Sequence, residues 1–212
     1  MINMINNNEN KGKKLQVILA SASPRRKELL MQIGIDYRAV PGTAEEYTTK
    51  TEPAEVVQEL SYRKAEEVLA GLVRQGEEDC LVIGADTGVS HRGRVMGKPG
   101  SEEEACQMLS CLQGSIHQVY TGVTLLVREK GQQSVCHTFY EKTDVSMYPM
   151  TEEEIRAYAA TGESMDKAGA YAIQGRCAVY IRGICGDYNN VVGLPVGRLY
   201  QELKSLGVLE CI

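Results

Sequence analysis

The sequence has few histidines and no closely paired cysteines, and both features narrow the chemistry it can perform. It contains three histidines and seven cysteines among 212 residues. None of His91, His117 and His137 has a neighbouring ligand at zinc-binding spacing, and no two cysteines form a Cys-x-x-Cys pair. We therefore expect neither a zinc site nor a Ser-His-Asp triad. An odd number of cysteines without a secretion signal favours reduced thiols and a cytoplasmic location.

Long apolar runs and an excess of positive charge are also absent. No apolar run approaches the length of a membrane span, so we expect no membrane association. The net charge of −5 disfavours a general nucleic-acid-binding protein. Phe139 and the eleven tyrosines show no spacing that would form a platform for stacked bases. An anionic ligand would therefore need a local cluster of cations or a metal ion.

The pattern along the chain predicts one α/β domain over residues 15–212. Residues 1–14 are rich in Asn and Lys and lack an apolar segment, so we expect a flexible tail and not a signal peptide. Helices and strands alternate, and hairpins interrupt the rhythm, which predicts a mixed sheet flanked by helices. Strands are predicted at 17–20, 37–40, 80–85, 119–127, 134–147 and 178–181. Helices are predicted at 24–33, 53–72, 102–112, 152–160 and 196–206.

The segment from Leu19 to Arg26 is the most informative part of the sequence. Ser23 followed by Pro24 is typical of an N-cap and the first helical position after a buried strand. Such a helix start presents free backbone N–H groups and a positive dipole end, both suited to an anion. Ser21, Ser23, Arg25 and Arg26 add donors for phosphate oxygens. On this segment alone, an ordinary β-α unit with a good cap explains the pattern equally well.

Carboxylates follow two of the predicted strands. Asp86 comes after the apolar run 81–85, so we expect it at the carboxyl end of a strand, where open α/β sheets bind ligands. There it can hold Mg²⁺ or orient a water molecule; alternatively, it opens a turn toward Gly88. Glu45 and Glu46 follow a short strand and a turn, and they are either solvated or, beside a phosphate pocket, a source of metal ligands.

Three lysines and one glutamine are further candidates for ligand contacts. Lys98 lies between a glycine and a proline, whose backbones fix where a loop cation points. Lys64 lies on a predicted helix, where a lysine is usually solvated. Lys167 directly follows Asp166 and is expected to reach the same cleft. The amide of Gln174 offers both a donor and an acceptor to the edge of a base.

In order and spacing, six segments closely resemble the Maf-like nucleotide pyrophosphatases. They are 19–26, 84–87, 97–99, 117–122, 166–175 and 191–195, and the resemblance extends over about residues 15–208. It implies an inosine-triphosphatase-like fold with two lobes around a central substrate cleft. It also implies hydrolysis of a nucleoside triphosphate to the monophosphate and pyrophosphate, which would serve to cleanse the nucleotide pool.

The resemblance also implies roles for individual residues. Asp86 matches the general base, and Glu46, in preference to Glu45, matches an acidic ligand of a divalent cation (Mg²⁺, Mn²⁺ or Co²⁺). Whether Asp86 is itself a metal ligand stays open. Lys64 matches a residue that contacts phosphate, and we expect the same of Ser21, Ser23, Arg26, Lys98 and Lys167.

Substrate choice is implied by three positions. Arg25, Thr87 and Gln174 together resemble the branch of the family that acts on dTTP and UTP. Different residues mark the sister branch that prefers 7-methyl-GTP. A pyrophosphatase directed at 7-methyl-GTP or another purine nucleotide, and a non-catalytic regulator of cell division, are therefore the alternatives. The second alternative reflects the family's association with inhibition of septum formation, and the resemblance further implies a homodimer.

Overall fold

The computed structural model describes residues 14–43 and 47–212 and contains a seven-stranded mixed sheet flanked by helices. This confirms the predicted α/β class. The strands are β1 Gln16–Ala20, β2 Arg38–Ala39, β3 Cys80–His91, β4 Arg94–Met96, β5 Ile116–Arg128, β6 Val135–Met147 and β7 Ile181–Cys185. The helices are α1 Pro24–Gln32, α2 Pro53–Arg74, α3 Glu102–Leu112, α4 Glu152–Ala159, α5 Tyr188–Val192 and α6 Val196–Ser205. Short 3₁₀ turns cover Ala168–Ala170, Arg176–Tyr180 and Leu209–Cys211.

Strand order along the sheet is β2-β1-β3-β5-β6-β7, with β4 paired to β3. β1 runs parallel to both β2 and β3, and the remaining pairs are antiparallel. The β3–β4 hairpin turns at Arg92 and Gly93, whose φ angles of 51° and 77° fit a two-residue turn. The described helices include no candidate for a membrane span. The predicted N-terminal tail, apart from Lys14, lies outside the described residues.

The sequence prediction placed the end of β3 too early. We expected the strand to end at Ala85 with Asp86 at its carboxyl end, but β3 continues to His91 and Asp86 lies within it. The backbone stays extended because β5 pairs with β3 from Cys80 to Ser90. On the other edge of β3, β1 pairs only as far as Gly84, and β4 pairs from Val89 onward. In the described part of the chain, residues 85–88 therefore have no partner strand on that edge.

The position of β7 also differs from the prediction. The apolar run 178–181 suggested a strand, but residues 176–180 form a 3₁₀ turn and the strand covers Ile181–Cys185. β6 ends at Met147, which is paired with Ile181, so the residues before Ile181 have no strand beside them. The short helix α5 was not predicted at all.

Helix α2 approaches the sheet closely, and two glycines make this possible. A Cβ atom on Gly84 would lie 2.3 Å from the carbonyl oxygen of Ser61, and one on Gly122 would lie 2.3 Å from the carbonyl oxygen of Val57. These carbonyls are one helical turn apart on the face of α2 that meets β3 and β5. The Ser61 hydroxyl also lies 2.9 Å from that of Thr124, and both side chains are buried. The sequence therefore fixes the distance between α2 and the sheet.

Side chains alternate across the sheet and build a core on each face. On one face, α2 covers a cluster that includes Ile18 and Val82. On the other face, α1 and α6 cover a cluster that includes Leu19, Leu81 and Ile83. A third cluster joins α3 and α4 to the far ends of β3, β5 and β6.

We expect Gly122→Ala to destabilise the protein, because the new methyl group would collide with the backbone of α2. Overpacking of this kind costs about 1–3 kcal/mol of unfolding free energy. Urea denaturation followed by circular dichroism measures the difference. Gly183→Ala is the matched control, since it lies on β7 with open space around it. Equal unfolding free energies for the two variants would contradict close packing at Gly122.

Candidate active site

A cleft of about 710 Å³ opens where β1 ends beside β3. Its floor includes the stretch of β3 that lacks a partner strand on this edge. Ten of the residues singled out from the sequence line this cleft: Ser21, Ser23, Arg25, Arg26, Lys64, Asp86, Thr87, Lys98, Lys167 and Gln174. Glu45 and Glu46 lie outside the described residues. Residues spread over most of the chain thus meet at one place.

Asp86 and Lys64 form an ion pair in the cleft on the α2 face of β3. The Lys64 Nζ donates to Asp86 Oδ1 at 2.5 Å, and the two side chains are 17% and 12% exposed. The pair forms because α2 contacts the sheet at Gly84 through Ser61. Lys64 follows Ser61 by less than one helical turn, and Asp86 follows Gly84 by two residues on the same face of β3, so the two side chains meet. A carboxylate on the floor of a cleft can accept a proton from a water molecule or bind a cation.

Arg26 braces the opposite face of the same strand. Its Nε donates to the carbonyl oxygen of Gly193 at 2.8 Å, Nη1 to Ser21 Oγ at 3.2 Å, and Nη2 to Thr87 Oγ1 at 3.0 Å. One guanidinium thereby joins the β1–α1 loop, β3 and the segment after α5. Ser23 occupies the N-cap position of α1 as predicted, but its side chain makes no capping hydrogen bond. Its backbone N–H instead donates to Ser21 Oγ at 3.2 Å.

Thr87 belongs to a buried hydrogen-bond chain that the sequence analysis did not detect. The Thr121 hydroxyl donates to the carbonyl oxygen of Asn190 at 2.9 Å and lies 2.9 Å from Thr87 Oγ1. A hydroxyl carries one proton, so Thr87 must donate to Thr121 while it accepts from Arg26. Toward a ligand, Thr87 therefore has only acceptor capacity left. The side chain of Asn190 donates in turn to the carbonyl oxygen of Val119 and to Thr143 Oγ1.

Cationic side chains lie along the rim of the cleft. Arg25 Nη1 is 4.0 Å from Asp166 Oδ2, and Lys167 also pairs with Asp166. Partial burial alone would raise the pKa of Asp166, but the hydrogen bond and charge of Lys167 and the charge of Arg25 outweigh it and lower the pKa. Lys98 lies on the exposed loop after β4. The backbone N–H of Gly169 donates to the carbonyl oxygen of Gly97 at 3.0 Å and so joins the two loops that carry these lysines.

Gln174 is exposed and lies in a turn on the same wall of the cleft. Behind this wall, His117 Nε2 lies 2.8 Å from the Tyr171 hydroxyl, and both side chains are buried. Burial, with a smaller contribution from His91, lowers the pKa of His117 to about 4. Burial likewise raises the pKa of Tyr171. Both groups are therefore neutral near pH 7, and their buried side chains support this wall of the cleft.

A divalent cation fits the acidic groups of the cleft only with help from a ligand. Among residues 14–43 and 47–212, no group of three or more His, Cys, Asp or Glu could hold a metal ion. Mg²⁺ is commonly bound by one or two carboxylates together with substrate phosphates and water. Asp86 meets that requirement as one protein ligand, and the predicted second ligand, Glu46, lies outside the described residues.

The sequence is similar to a known protein family and to named relatives in other organisms. A sequence profile described as "Maf-like protein" matches residues 16–206. A protein of Agathobacter rectalis named dTTP/UTP pyrophosphatase is 57% identical over 201 residues, which cover 91% of this chain and 98% of that protein. A protein of Lachnoclostridium phytofermentans with the same name is 45% identical over 193 residues and covers 91% and 96%, respectively.

Among solved structures, the Ham1 protein of Staphylococcus aureus aligns with 90% of this chain and 98% of its own. The sequence identity is 13% and the TM-score is 0.45.

We expect Arg26→Lys to loosen the cleft although it keeps the charge. A lysine cannot reproduce the planar fork that joins three segments. The loss of these hydrogen bonds should lower the unfolding free energy by about 2 kcal/mol. Arg25→Lys is the matched control, because a lysine can still pair with Asp166. Urea denaturation of both variants makes the comparison, and wild-type stability in Arg26→Lys would show that the three hydrogen bonds contribute little.

Proposed function

The chain belongs to the Maf-like protein family, and we propose that it hydrolyses dTTP and UTP to the nucleoside monophosphate and pyrophosphate. The observation that carries this proposal is the Lys64–Asp86 pair at the floor of a cleft lined with cations. Relatives that cover nearly the whole chain at 45–57% identity bear the name dTTP/UTP pyrophosphatase, which supports the choice of substrate. Removal of such nucleotides would serve to cleanse the cell's pool of precursors.

In the proposed reaction, a water molecule attacks the α-phosphorus. A new bond forms between the water oxygen and the α-phosphorus, and the bond from the α-phosphorus to the oxygen bridging to the β-phosphorus breaks. The Asp86 carboxylate accepts a proton from the attacking water, and pyrophosphate leaves with the bridging oxygen. No covalent nucleophile is required, because positioning and electrostatic stabilisation dominate phosphoryl-type transfers.

The cations of the cleft would bind the phosphates. Lys64, Lys98 and Lys167 supply point charges, and the Arg26 guanidinium, which also donates hydrogen bonds within the protein, adds a further positive charge. Ser21 and Ser23 lie at the start of α1, where hydroxyl and backbone donors face the same cleft. Because the protein carries a net charge of −5, substrate binding would depend on this local cluster.

The proposal includes a divalent cation, Mg²⁺, Mn²⁺ or Co²⁺, held by Glu46 and also by Asp86 if that carboxylate is a metal ligand. Such an ion, when bound, offsets the negative charge that builds on the phosphate oxygens. Asp86 can serve as base or as metal ligand, and its two oxygens allow it to combine the roles.

The proposed base-recognition residues are Arg25, Thr87 and Gln174. The amide of Gln174 can donate to O4 of uracil or thymine while it accepts from N3–H. Thr87, which has only acceptor capacity toward a ligand, and Arg25 lie in the same cleft. We further propose that the protein is located in the cytoplasm and forms a homodimer.

We expect Asp86→Asn to lower kcat by about 10²- to 10⁴-fold, the range for loss of a general base. The assay is pyrophosphate release from dTTP, UTP, CTP, GTP and 7-methyl-GTP with Mg²⁺ or Mn²⁺. A metal titration separates the two roles of Asp86, because only loss of a ligand raises the metal concentration needed for half-maximal activity.

Asp144→Asn is the control for this experiment. Asp144 also pairs with a lysine, Lys142, at 3.4 Å on the same sheet, but it lies outside the cleft. A folded Asp86→Asn variant with wild-type kcat would remove Asp86 from the reaction. A wild-type preference for 7-methyl-GTP would instead assign the chain to the sister branch, and no release from any nucleotide would favour a protein that acts only by binding.

A further inference from the structure

One carboxylate outside the proposed machinery closes the neck of a loop that forms a wall of the cleft. Residues 163–176 run between α4 and the 3₁₀ turn at 176–180, and Asp166, Lys167 and Gln174 line the cleft from this loop. Glu163 Oε2 accepts from the backbone N–H of Arg176 at 3.1 Å, so the first residue of the loop holds the last. A compact loop with joined ends is a typical carrier of functional residues.

The same carboxylate is fixed from the side of α4. The hydroxyl of Tyr158 donates to Glu163 Oε1 at 2.9 Å and accepts from the backbone N–H of Ala172 at 3.2 Å. Tyr158 is buried against the core that surrounds α3 and α4. Through this pair, backbone groups on both sides of Gln174, at residues 172 and 176, are attached to a rigid helix.

Gly175 leaves the space that the carboxylate occupies. A Cβ atom at this position would lie 2.0 Å from Glu163 Oε1 and 2.6 Å from Oε2. An alanine there would therefore displace the carboxylate from its partners without changing Glu163 itself. Tyr158, Glu163 and Gly175 together hold the loop, and we refer to these three residues as the clamp.

We propose that Glu163 is a positioning residue for base recognition: its carboxylate fixes the backbone that carries Gln174 and so sets where that amide meets the base. This proposal rests on the proposed function. The Gln174 side chain is exposed, and the position of its backbone sets which part of the cleft that side chain can reach. Lys167, in contrast, lies two residues before Gly169, whose backbone N–H donates to the carbonyl oxygen of Gly97 on the loop after β4. The phosphate side of the loop therefore keeps a separate attachment.

Because the part of the loop that carries Lys167 is held separately, we expect the loss of the Glu163 carboxylate to weaken nucleotide binding and to leave the chemical step unchanged. Glu163→Gln keeps the size of the side chain, but its NH₂ group cannot accept one of the two hydrogen bonds. We expect KM for dTTP and UTP to rise about 5- to 30-fold, as for the loss of one or two hydrogen bonds, while kcat stays within about twofold of wild type. Gly175→Ala should reproduce this result by displacing the carboxylate.

Two further comparisons separate positioning from general destabilisation. Glu154→Gln is the matched control, because Glu154 lies on α4, the helix that carries Tyr158, and its carboxylate also accepts from a backbone N–H, that of Thr151 at 2.7 Å, away from the cleft. It should leave KM unchanged. In a Gln174→Ala background, Glu163→Gln should cause no further rise in KM, because the clamp acts through Gln174.

Hydrogen exchange of the backbone amides measures how firmly the clamp holds the loop, without any nucleotide. The amides of Ala172 and Arg176 should exchange faster in Glu163→Gln and Gly175→Ala than in wild type. If these amides exchange faster but KM for dTTP and UTP is unchanged, or if KM rises equally in the Gln174→Ala background, the positioning role of Glu163 is overturned. If wild type releases no pyrophosphate from any nucleotide, the proposed function fails, and that outcome is distinct from active variants with wild-type KM.

Discussion

The close contact between α2 and the sheet is the constraint on which the rest of the site depends. At Gly84 and Gly122 the helix backbone occupies the space of a missing Cβ atom, and the buried Ser61–Thr124 hydrogen bond fixes the contact. Lys64 follows Ser61 by less than one turn, and Asp86 follows Gly84 on the same face of β3. A helix displaced by the size of a methyl group would separate the ammonium group from the carboxylate. The two glycines thus couple the packing of the core to the electrostatics of the cleft.

The second half of the arrangement lies on the opposite face of β3, where polar contacts replace apolar packing. Arg26 and Thr87 begin a chain of hydrogen bonds that continues through Thr121 to Asn190. A buried network of this kind defines a unique geometry only when its members are satisfied, and most of these donors and acceptors have partners. Because β1 ends at Ala20, both faces of β3 open into one cleft. The Lys64–Asp86 pair and Arg26 therefore face the same cleft from the two sides of β3.

Local signals in the sequence predicted most elements, and tertiary contacts decided the rest. The helices predicted at 102–112 and 152–160 begin where the sequence placed them, because Ser101 and Thr151 cap their first turns and capping is a local interaction. The length of β3 was missed because pairing with β5, and not local propensity, keeps Asp86 extended. The roles of Asn190 and Glu163 could not be predicted, because their partners are distant in sequence or belong to the backbone of an irregular loop. The resemblance, and not periodicity, identified Lys64 as a phosphate contact, because a lysine on a helix is usually solvated.

The central claim is that the cleft directs water to the α-phosphorus of a nucleoside triphosphate. Hydrolysis of UTP in water labelled with oxygen-18, followed by mass spectrometry of the products, tests this claim most directly. The account predicts one labelled oxygen in the monophosphate and none in the pyrophosphate, because the bond between the α-phosphorus and the bridging oxygen breaks. Label in the pyrophosphate, or release of orthophosphate instead of pyrophosphate, would contradict it.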